Sequence, residues 1–119
     1  MARVSSTAAL QLCVLLWARP GQDDALTAYE DAVLALLPDH GARLVTRVRR
    51  ATSSTVVPLD VQGWTDDVTD PLEVQVIELP SRAALDAYLR DPRRTALDAD
   101  RDAAVDRTRI LEVTARTGA

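Results

Sequence analysis

The stretch "LPSRAALDAYLRDPRRTALDADRDAAV", residues 79–105, decides the fold because it joins a strand to two helical segments. Pro80 ends an extended run, and Ser81 offers a hydroxyl that can cap the helix that follows. Asp91 is a second capping residue, and Pro92 occupies the first helical position, where its missing N–H costs nothing. The pattern predicts a helix that breaks and restarts after a strand.

Upstream of this stretch, the same alternation of elements is present. The apolar run Leu10–Ala18 predicts a central strand. From Asp24, apolar residues recur at helical spacing until Pro38 and Gly41 end the pattern; this inward stripe is Leu26, Tyr29, Val33, Leu36 and Leu37. Alternating residues then predict three more strands, at Arg43–Ala51, Leu72–Leu79 and Arg107–Ala115.

The resulting order is strand, helix, strand, strand, bent helix, strand. It predicts a ferredoxin-like α+β fold, in which a four-stranded antiparallel sheet carries its helices on one face. The 119 residues suit a single domain, which we place at residues 9–119 after a flexible tail at 1–8. Polar and turn-forming residues predict a long loop near 52–71.

Composition excludes several classes of function. The net charge is −4 and residues 79–105 hold equal numbers of Arg and Asp, so no basic face is expected and nucleic-acid binding is disfavoured. No apolar run is long enough to span a bilayer, so no membrane partner is predicted. The single cysteine, Cys13, is typical of a reducing compartment and predicts a cytoplasmic location.

The first residues also have a second interpretation. Arg3 followed by an apolar run resembles a weak signal peptide. Gln11 interrupts the run, however, and no small-x-small cleavage site follows Trp17. The run ends instead at a Pro-Gly turn before a helix, which favours a strand.

Three segments carry a resemblance to a known family. "AYEDAVLALLPDHGARLVTR" (28–47), "VQVIELPSRAALDAYLRDPRR" (74–94) and "RILEV" (109–113) resemble the small dimeric α+β-barrel proteins, in a branch of unknown function. Antibiotic-biosynthesis monooxygenases and small polyketide cyclases are more distantly similar. The resemblance implies a homodimer whose sheets face each other, with a ligand cavity either under the helices or between the sheets.

The predicted faces of the sheet agree with a dimer. The face without helices is expected to be too apolar to remain in water, so a second copy would cover it. We assign to that face Gln11, Cys13, Leu15, Trp17, Val45, Arg47, Gln75, Ile77 and Ile110.

Two residues are candidate catalytic groups. His40, between the first helix and the second strand, has an ordinary pKa near neutrality and is a natural acid or base, although it also suits a helix C-terminus. Glu78 is assigned to the face under the helices, with Val74 and Val76, where a carboxylate needs a partner. Arg101 is the expected partner and is also a candidate ligand contact that would steady a developing enolate. That pair has either a catalytic or a purely structural role.

Other residues are candidate ligand contacts. Arg47 and Gln75 could orient an anionic or carbonyl ligand between the sheets, or pair across the dimer with Glu73 or Glu112. Trp64 is a candidate lid over a pocket or an anchor for the long loop. Tyr88 is either a ligand contact or a core residue with a satisfied hydroxyl.

No motif indicates a cofactor. One His and one Cys cannot fill a zinc shell, so no metal site is predicted, and no phosphate-binding glycine loop, dinucleotide fingerprint or serine elbow is present. The sequence therefore predicts an enzyme that acts on a small molecule without a cofactor. A cyclase or isomerase, or a monooxygenase, of a polyketide-like or aromatic metabolite is expected. The alternative is a non-catalytic dimeric ligand-binding or accessory protein.

Overall fold

The computed structural model describes residues 9–51 and 70–116 of the protein. Within these ranges the elements, in chain order, are β1 (Leu10–Ala18), α1 (Asp23–Leu34), a 3₁₀ turn (Leu37–His40), β2 (Arg43–Arg49), β3 (Glu73–Leu79), α2 (Arg82–Leu89), α3 (Pro92–Thr95), α4 (Asp98–Ala104) and β4 (Val105–Val113). The predicted tail at 1–8, nearly all of the predicted loop at 52–71, and Trp64 lie outside the described residues. No helix of the described ranges has the length and apolar character that crossing a membrane requires.

The four strands form one antiparallel sheet in the order β2-β3-β1-β4. The two strands that are first and third in the chain therefore lie at the centre, and each connection through a helix crosses to a non-adjacent position. The helices pack on one face of the sheet. This is the ferredoxin-like α+β fold that the order of elements predicted.

Helix α1 ends earlier than its apolar stripe suggests. Its last residue is Leu34, and the chain then tightens into the 3₁₀ turn, which contains Leu37 and Pro38. Gly41 stops this turn in the left-handed region, at φ 70°, where a residue with a side chain is disfavoured. The predicted stop signals are therefore correct, but the last turn of the stripe is not α-helical.

The two predicted caps after β3 are both present. Ser81 Oγ accepts from the Ala84 N–H at 3.1 Å, and Asp91 Oδ1 accepts from the Arg93 N–H at 2.9 Å. Pro92 is the first residue of α3, as expected. The segment after Asp91 divides into two short helices, α3 and α4, rather than forming one.

The core lies between the sheet and the helices. Alternate residues of β1 (Leu10, Leu12, Val14 and Leu16) are buried against Leu26 and Val33 of α1 and Tyr88 of α2, among others. We call this side of the sheet the covered face and the opposite side the open face. The predicted assignment of β1 to the two faces is confirmed.

The predicted phase of β3 is wrong. Opposite residues in an antiparallel pair share a face, and Gln75 and Ile77 lie opposite Val14 and Leu12, so they belong to the covered face. Glu78 lies opposite Gln11 on the open face, where Val74 and Val76 also lie. Since side chains alternate with a period of two, an error of one residue moved the whole strand to the other face.

The edge strands carry two related corrections. Arg47 of β2 lies opposite Gln75, on the covered face, after a register shift between Leu44 and Thr46. Ile110 of β4 lies opposite Val14 and also faces the helices. Of the residues assigned to the open face, those of β1 are therefore correct, whereas Arg47, Gln75, Ile77 and Ile110 are not.

The open face is apolar at its centre. Leu111 of β4 lies there beside partly buried residues of the two central strands. These central residues are Cys13, Leu15, Trp17, Val74 and Val76. Charged side chains lie nearer the edges, and the Arg107 guanidinium stacks over the Trp17 ring at 4.0 Å.

Candidate functional site

A cavity of about 70 Å³ lies between the covered face and the helices. Its apolar wall is formed by Leu12, Val14, Leu16, Leu34, Ile77, Leu85, Leu89, Val105 and Ile110. Its polar wall is formed by Tyr29, Glu30, Gln75, Tyr88, Arg94, Arg101 and Thr108. An apolar pocket with a few converging polar groups is the usual form of a small-molecule site.

Glu30 is the acidic group of the cavity wall. It follows Leu26 by four residues on α1, so the helix repeat directs it to the same inward side, and only 6% of it is exposed. Gln75 Nε2 donates to Glu30 Oε1 at 2.9 Å. Burial raises the pKa of Glu30 above its ordinary value, and this effect outweighs the hydrogen bond from Gln75 and the charges of Arg94 and Arg47.

Behind Gln75 lies a partly buried ion pair, in which Glu73 is buried and Arg47 is partly exposed. Arg47 Nε donates to Glu73 Oε1 at 2.7 Å, and Thr27 Oγ1 donates to Glu73 Oε2 at 2.7 Å. Gln75 Nε2 also lies 3.2 Å from Glu73 Oε1, so one amide contacts both Glu73 and Glu30. Burial raises the pKa of Glu73, but the hydrogen bonds from Arg47, Thr27 and Gln75 more than offset it and leave the pKa below its usual value. The two neighbouring carboxyls are thus shifted in opposite directions.

Two polar groups of the cavity lack partners. Among the described residues, Tyr29 Oη and Arg94 Nε are buried and make no hydrogen bond. Tyr88, by contrast, donates from its hydroxyl to the Val33 carbonyl at 3.0 Å, and the Arg94 guanidinium lies 5.0 Å from the Tyr88 ring centre. Burial raises the pKa of the Tyr29 hydroxyl, so it remains protonated and able to donate.

Arg101 occupies a more exposed part of the wall. Its guanidinium contacts Asp102 at 3.2 Å, with 44% of the side chain accessible to water. The arginine therefore brings positive charge to the cavity from a solvated position.

The cavity contains three of the predicted ligand contacts, Gln75, Tyr88 and Arg101. Gln75 faces the helices rather than a second sheet, contrary to its predicted location. Arg47 is not part of the wall and instead pairs within the chain with Glu73 and with Asp31, at 2.7 and 2.6 Å.

His40 lies outside this cavity. Its Nε2 is 2.8 Å from Asp91 Oδ2, and its ring meets that of Tyr88 edge to face at 5.8 Å between centres. Asp91 also binds Arg93, and the hydrogen bonds from Arg93 and His40 hold the pKa of its carboxyl well below the ordinary range. The contact joins the 3₁₀ turn to the start of α3.

Glu78 also lies away from the cavity. On the open face it accepts from Arg43 Nε at 2.9 Å and from Gln11 Nε2 at 3.1 Å. These hydrogen bonds lower its pKa. The predicted pairing of Glu78 with Arg101 under the helices is wrong, because the phase of β3 places the carboxylate on the other side.

Sequence reasoning missed Glu30 and Arg94 and treated Tyr29 as a packing residue only. A signal for Glu30 was present, since Leu26, Tyr29, Glu30 and Val33 follow the i, i+3, i+4, i+7 spacing of one helix face. Arg94 stands in a run of arginines and aspartates, and nothing in the sequence distinguishes it from its neighbours.

The described ranges hold no group of three or more His, Cys, Asp or Glu side chains placed to bind a metal ion. The polar wall of the cavity offers a carboxyl, two guanidinium groups, two phenols, an aliphatic hydroxyl and an amide.

Comparison with known proteins shows which solved structures share this fold. No family model and no curated protein matches the chain. Among solved structures, a protein of unknown function from Rhodopseudomonas palustris has a TM-score of 0.70 at 19% identity, over 92% of this chain and 84% of that one. A dimeric protein of unknown function from Bacteroides fragilis, with a ferredoxin-like fold, has a TM-score of 0.58 at 11% identity, over 88% and 94%. A putative antibiotic biosynthesis monooxygenase from Chloroflexus aurantiacus has a TM-score of 0.50 at 22% identity, over 93% and 98%.

These likenesses cover almost the whole of each chain at low sequence identity. They show a shared fold, and the predicted resemblance to ferredoxin-like proteins of unknown function is confirmed at that level. An activity does not follow from a fold, because unrelated functions use the same one.

Proposed function

We propose that the protein is a cofactor-independent acid–base enzyme that binds a compact small molecule in the cavity under the helices, with Glu30 as the group that moves a proton. The observation that carries the proposal is a buried carboxyl with a raised pKa on the wall of an apolar cavity. Such a perturbed group in a pocket is typical of a functional site.

The reaction types expected from the sequence share one step. Isomerisation and cyclisation of a carbonyl compound begin when a base removes a proton from the carbon next to the carbonyl. An oxygenation that relies on the substrate's own reactivity begins in the same way. A carboxylate whose pKa is raised by burial is a stronger base than one in water, which suits Glu30 to this step.

The size of the cavity limits the substrate. At about 70 Å³ it is smaller than the several hundred Å³ typical of pockets for drug-sized ligands. It therefore suits a compact molecule or the reacting end of a longer one. This favours a small carbonyl compound over a polyketide held entirely inside.

A carbon acid whose reacting C–H lies at one end tests the proton transfer without knowledge of the natural substrate, since only that end has to enter the cavity. A base opens the ring of 5-nitrobenzisoxazole by taking the proton on carbon 3, as the N–O bond breaks and a coloured cyanophenolate forms. We expect the wild type to catalyse this reaction with a rate that rises as Glu30 deprotonates. Glu30→Gln should lower the rate by about 100-fold or more.

Glu78→Gln is the matched control, because it makes the same chemical change on the open face. It should keep the wild-type rate, and His40→Ala tests the other predicted catalytic residue. Equal rates in the wild type and Glu30→Gln would contradict the proposal. Loss of turnover in Glu78→Gln or His40→Ala, with Glu30→Gln active, would return the catalytic role to those residues.

A non-catalytic ligand-binding or accessory protein is the second candidate, and the small volume of the cavity favours it. The two are separated by the same assay, since a binding protein would hold the probe without opening its ring.

The open face supports a further part of the proposal, namely that two copies pair through it. Leu15, Val74 and Val76 form an apolar surface that no helix of the described residues covers. A second copy presents the same surface and would bury both. The similar protein from Bacteroides fragilis is itself described as dimeric. A cytoplasmic location, expected from the single cysteine, stays a prediction.

A further inference from the structure

The strongest unused feature of the molecule is the pair of unpartnered donors in the cavity. Tyr29 is only 5% exposed, and its hydroxyl makes no hydrogen bond among the described residues. Arg94 Nε, on the same cavity wall, is likewise buried without a partner there. A buried polar group without a partner costs free energy, so two in one cavity require an explanation.

Both groups need the same kind of partner. A guanidinium N–H can only donate, and the phenol of Tyr29 stays protonated because burial raises its pKa. The one acidic residue of the wall, Glu30, accepts from Gln75 and makes no hydrogen bond to either donor. The missing partner is therefore an acceptor that enters the cavity from outside.

The charge of the wall indicates the kind of acceptor. The charged side chains of the wall are two arginines, Arg94 and Arg101, and one carboxyl, Glu30. Two guanidinium groups against one carboxyl leave positive charge in excess on the wall in either protonation state of Glu30. Apolar side chains form most of the rest of the wall and leave the buried Arg94 Nε poorly hydrated, which strengthens its attraction to an anion.

We propose that this cavity stabilises a compact organic oxyanion, whose oxygen accepts hydrogen bonds from Tyr29 Oη and Arg94 Nε. The inference rests on the proposed function and names its substrate class, a carbonyl compound that becomes an enolate. When Glu30 removes the proton, negative charge develops on the carbonyl oxygen, and donors already in place stabilise it. Arg94 and Tyr29 thereby bind the reacting oxygen while Glu30 acts on the neighbouring carbon.

Isobutyrate and isobutyramide test the inference, since they have the same shape and differ in charge. Binding is followed by NMR on the methyl signals of Leu85 and Ile110, which line the cavity. We expect isobutyrate to bind at least about tenfold more tightly than the amide, as hydrogen bonds to charged groups exceed neutral ones by that factor. Tyr29→Phe and Arg94→Gln should each weaken isobutyrate binding by about tenfold, with a smaller effect on the amide.

Arg90→Gln is the matched control for charge, because Arg90 is exposed at the end of α2 and is not part of the wall. It should leave both affinities unchanged. Tyr29→Phe removes only a hydroxyl without a partner, so the variant is expected to fold. Equal binding of the two ligands, binding of neither, or equal losses in Arg90→Gln and Arg94→Gln would each overturn the inference.

The two proposals fail separately. If the wild type opens 5-nitrobenzisoxazole through Glu30 but does not prefer isobutyrate, the oxyanion inference alone is wrong. If isobutyrate is preferred through Tyr29 and Arg94 but Glu30→Gln keeps the full rate of ring opening, the acid–base proposal alone is wrong.

Discussion

Glu30 occupies a position on α1 where the helix repeat calls for an apolar residue. The side chain is tolerated there because Gln75 donates to it and because burial favours its protonated form. Glu73 is instead paired with Arg47, so the pKa values of the two carboxyls beside Gln75 are shifted in opposite directions. This difference, between groups bridged by one amide, is the basis for assigning proton transfer to Glu30.

The raised pKa of Glu30 predicts a pH dependence of stability. The folded protein binds this proton more readily than the unfolded chain does, so the wild type loses stability as the pH rises from the ordinary carboxyl pKa through the raised one. Glutamine stays neutral and still accepts from Gln75. We therefore expect the stability of Glu30→Gln, relative to the wild type, to increase over this pH interval and then level off. Urea denaturation at a series of pH values measures the free energy of unfolding of both proteins. A difference between them that stays constant or decreases with pH would contradict the prediction.

The Arg47–Glu73 pair predicts a double-mutant result. Arg47→Met leaves the Glu73 carboxylate, 1% exposed, without its cation and should lower the free energy of unfolding by about 3 kcal/mol. Arg47→Met combined with Glu73→Gln removes the buried charge as well, and should return to within about 1 kcal/mol of the wild type. Denaturant unfolding of the three proteins tests this. Additive losses in the double variant would show that the two side chains do not act as a pair.

At the scale of elements, β1 and β3 show what the sequence could and could not predict. Every residue of β1 from Leu12 to Trp17 is apolar, so its limits were predicted correctly, and its phase followed from Gln11. In β3 the valines at 74 and 76 were placed under the helices, whereas Glu73 and Gln75 occupy that side. Their partners come from α1 and β2, and a single strand's pattern does not reveal such distant contacts.

The same strand error displaced the candidate site. It assigned Glu78 to the face under the helices and Gln75 to the open face. Shifting the predicted phase of β3 by one residue corrects both assignments. The caps at Ser81 and Asp91 were predicted correctly because they depend on residues within four positions of each other. Local signals were therefore reliable, and contacts between distant segments were not.

The Ser81 cap predicts a local loss of stability. Its hydroxyl satisfies the Ala84 N–H at the start of α2, the helix that supplies Leu85 and Tyr88 to the cavity. Ser81→Ala should lower the free energy of unfolding by about 1 kcal/mol, and Ser81→Asp, which keeps an acceptor, should lower it much less. Equal losses in the two variants, measured by thermal or urea denaturation, would show that the hydroxyl does not act as a cap.

At the scale of the whole molecule, a sheet with helices on one face has a second face to cover. The sequence predicted that this face is apolar. The corrections bring Val74, Val76 and Glu78 to it and move Gln75, Ile77, Arg47 and Ile110 to the covered face, so its centre stays apolar. The open face and the cavity lie on opposite sides of the sheet. Pairing of two copies would therefore leave the cavity within each chain.

The proposed pairing predicts that a charge at the centre of the open face separates the copies. Leu15 lies there on β1, and Leu15→Arg should convert a dimer into a monomer in sedimentation measurements. Ala28→Arg makes the same change in charge on an exposed position of α1 and should leave the dimer intact. A wild type that sediments as a monomer at all concentrations, or Ala28→Arg and Leu15→Arg behaving alike, would contradict pairing through this face.

The most direct test of the account is the titration of Glu30 itself. Protein labelled with carbon-13 glutamate gives one side-chain carboxyl signal for each of the four glutamates of the chain, which are Glu30, Glu73, Glu78 and Glu112. The signal that is missing in Glu30→Gln belongs to Glu30. We predict that the Glu30 signal titrates above the ordinary glutamate range, whereas those of Glu73 and Glu78 titrate below it. A Glu30 carboxyl that titrates at or below the ordinary value would contradict the assignment of proton transfer to the cavity under the helices.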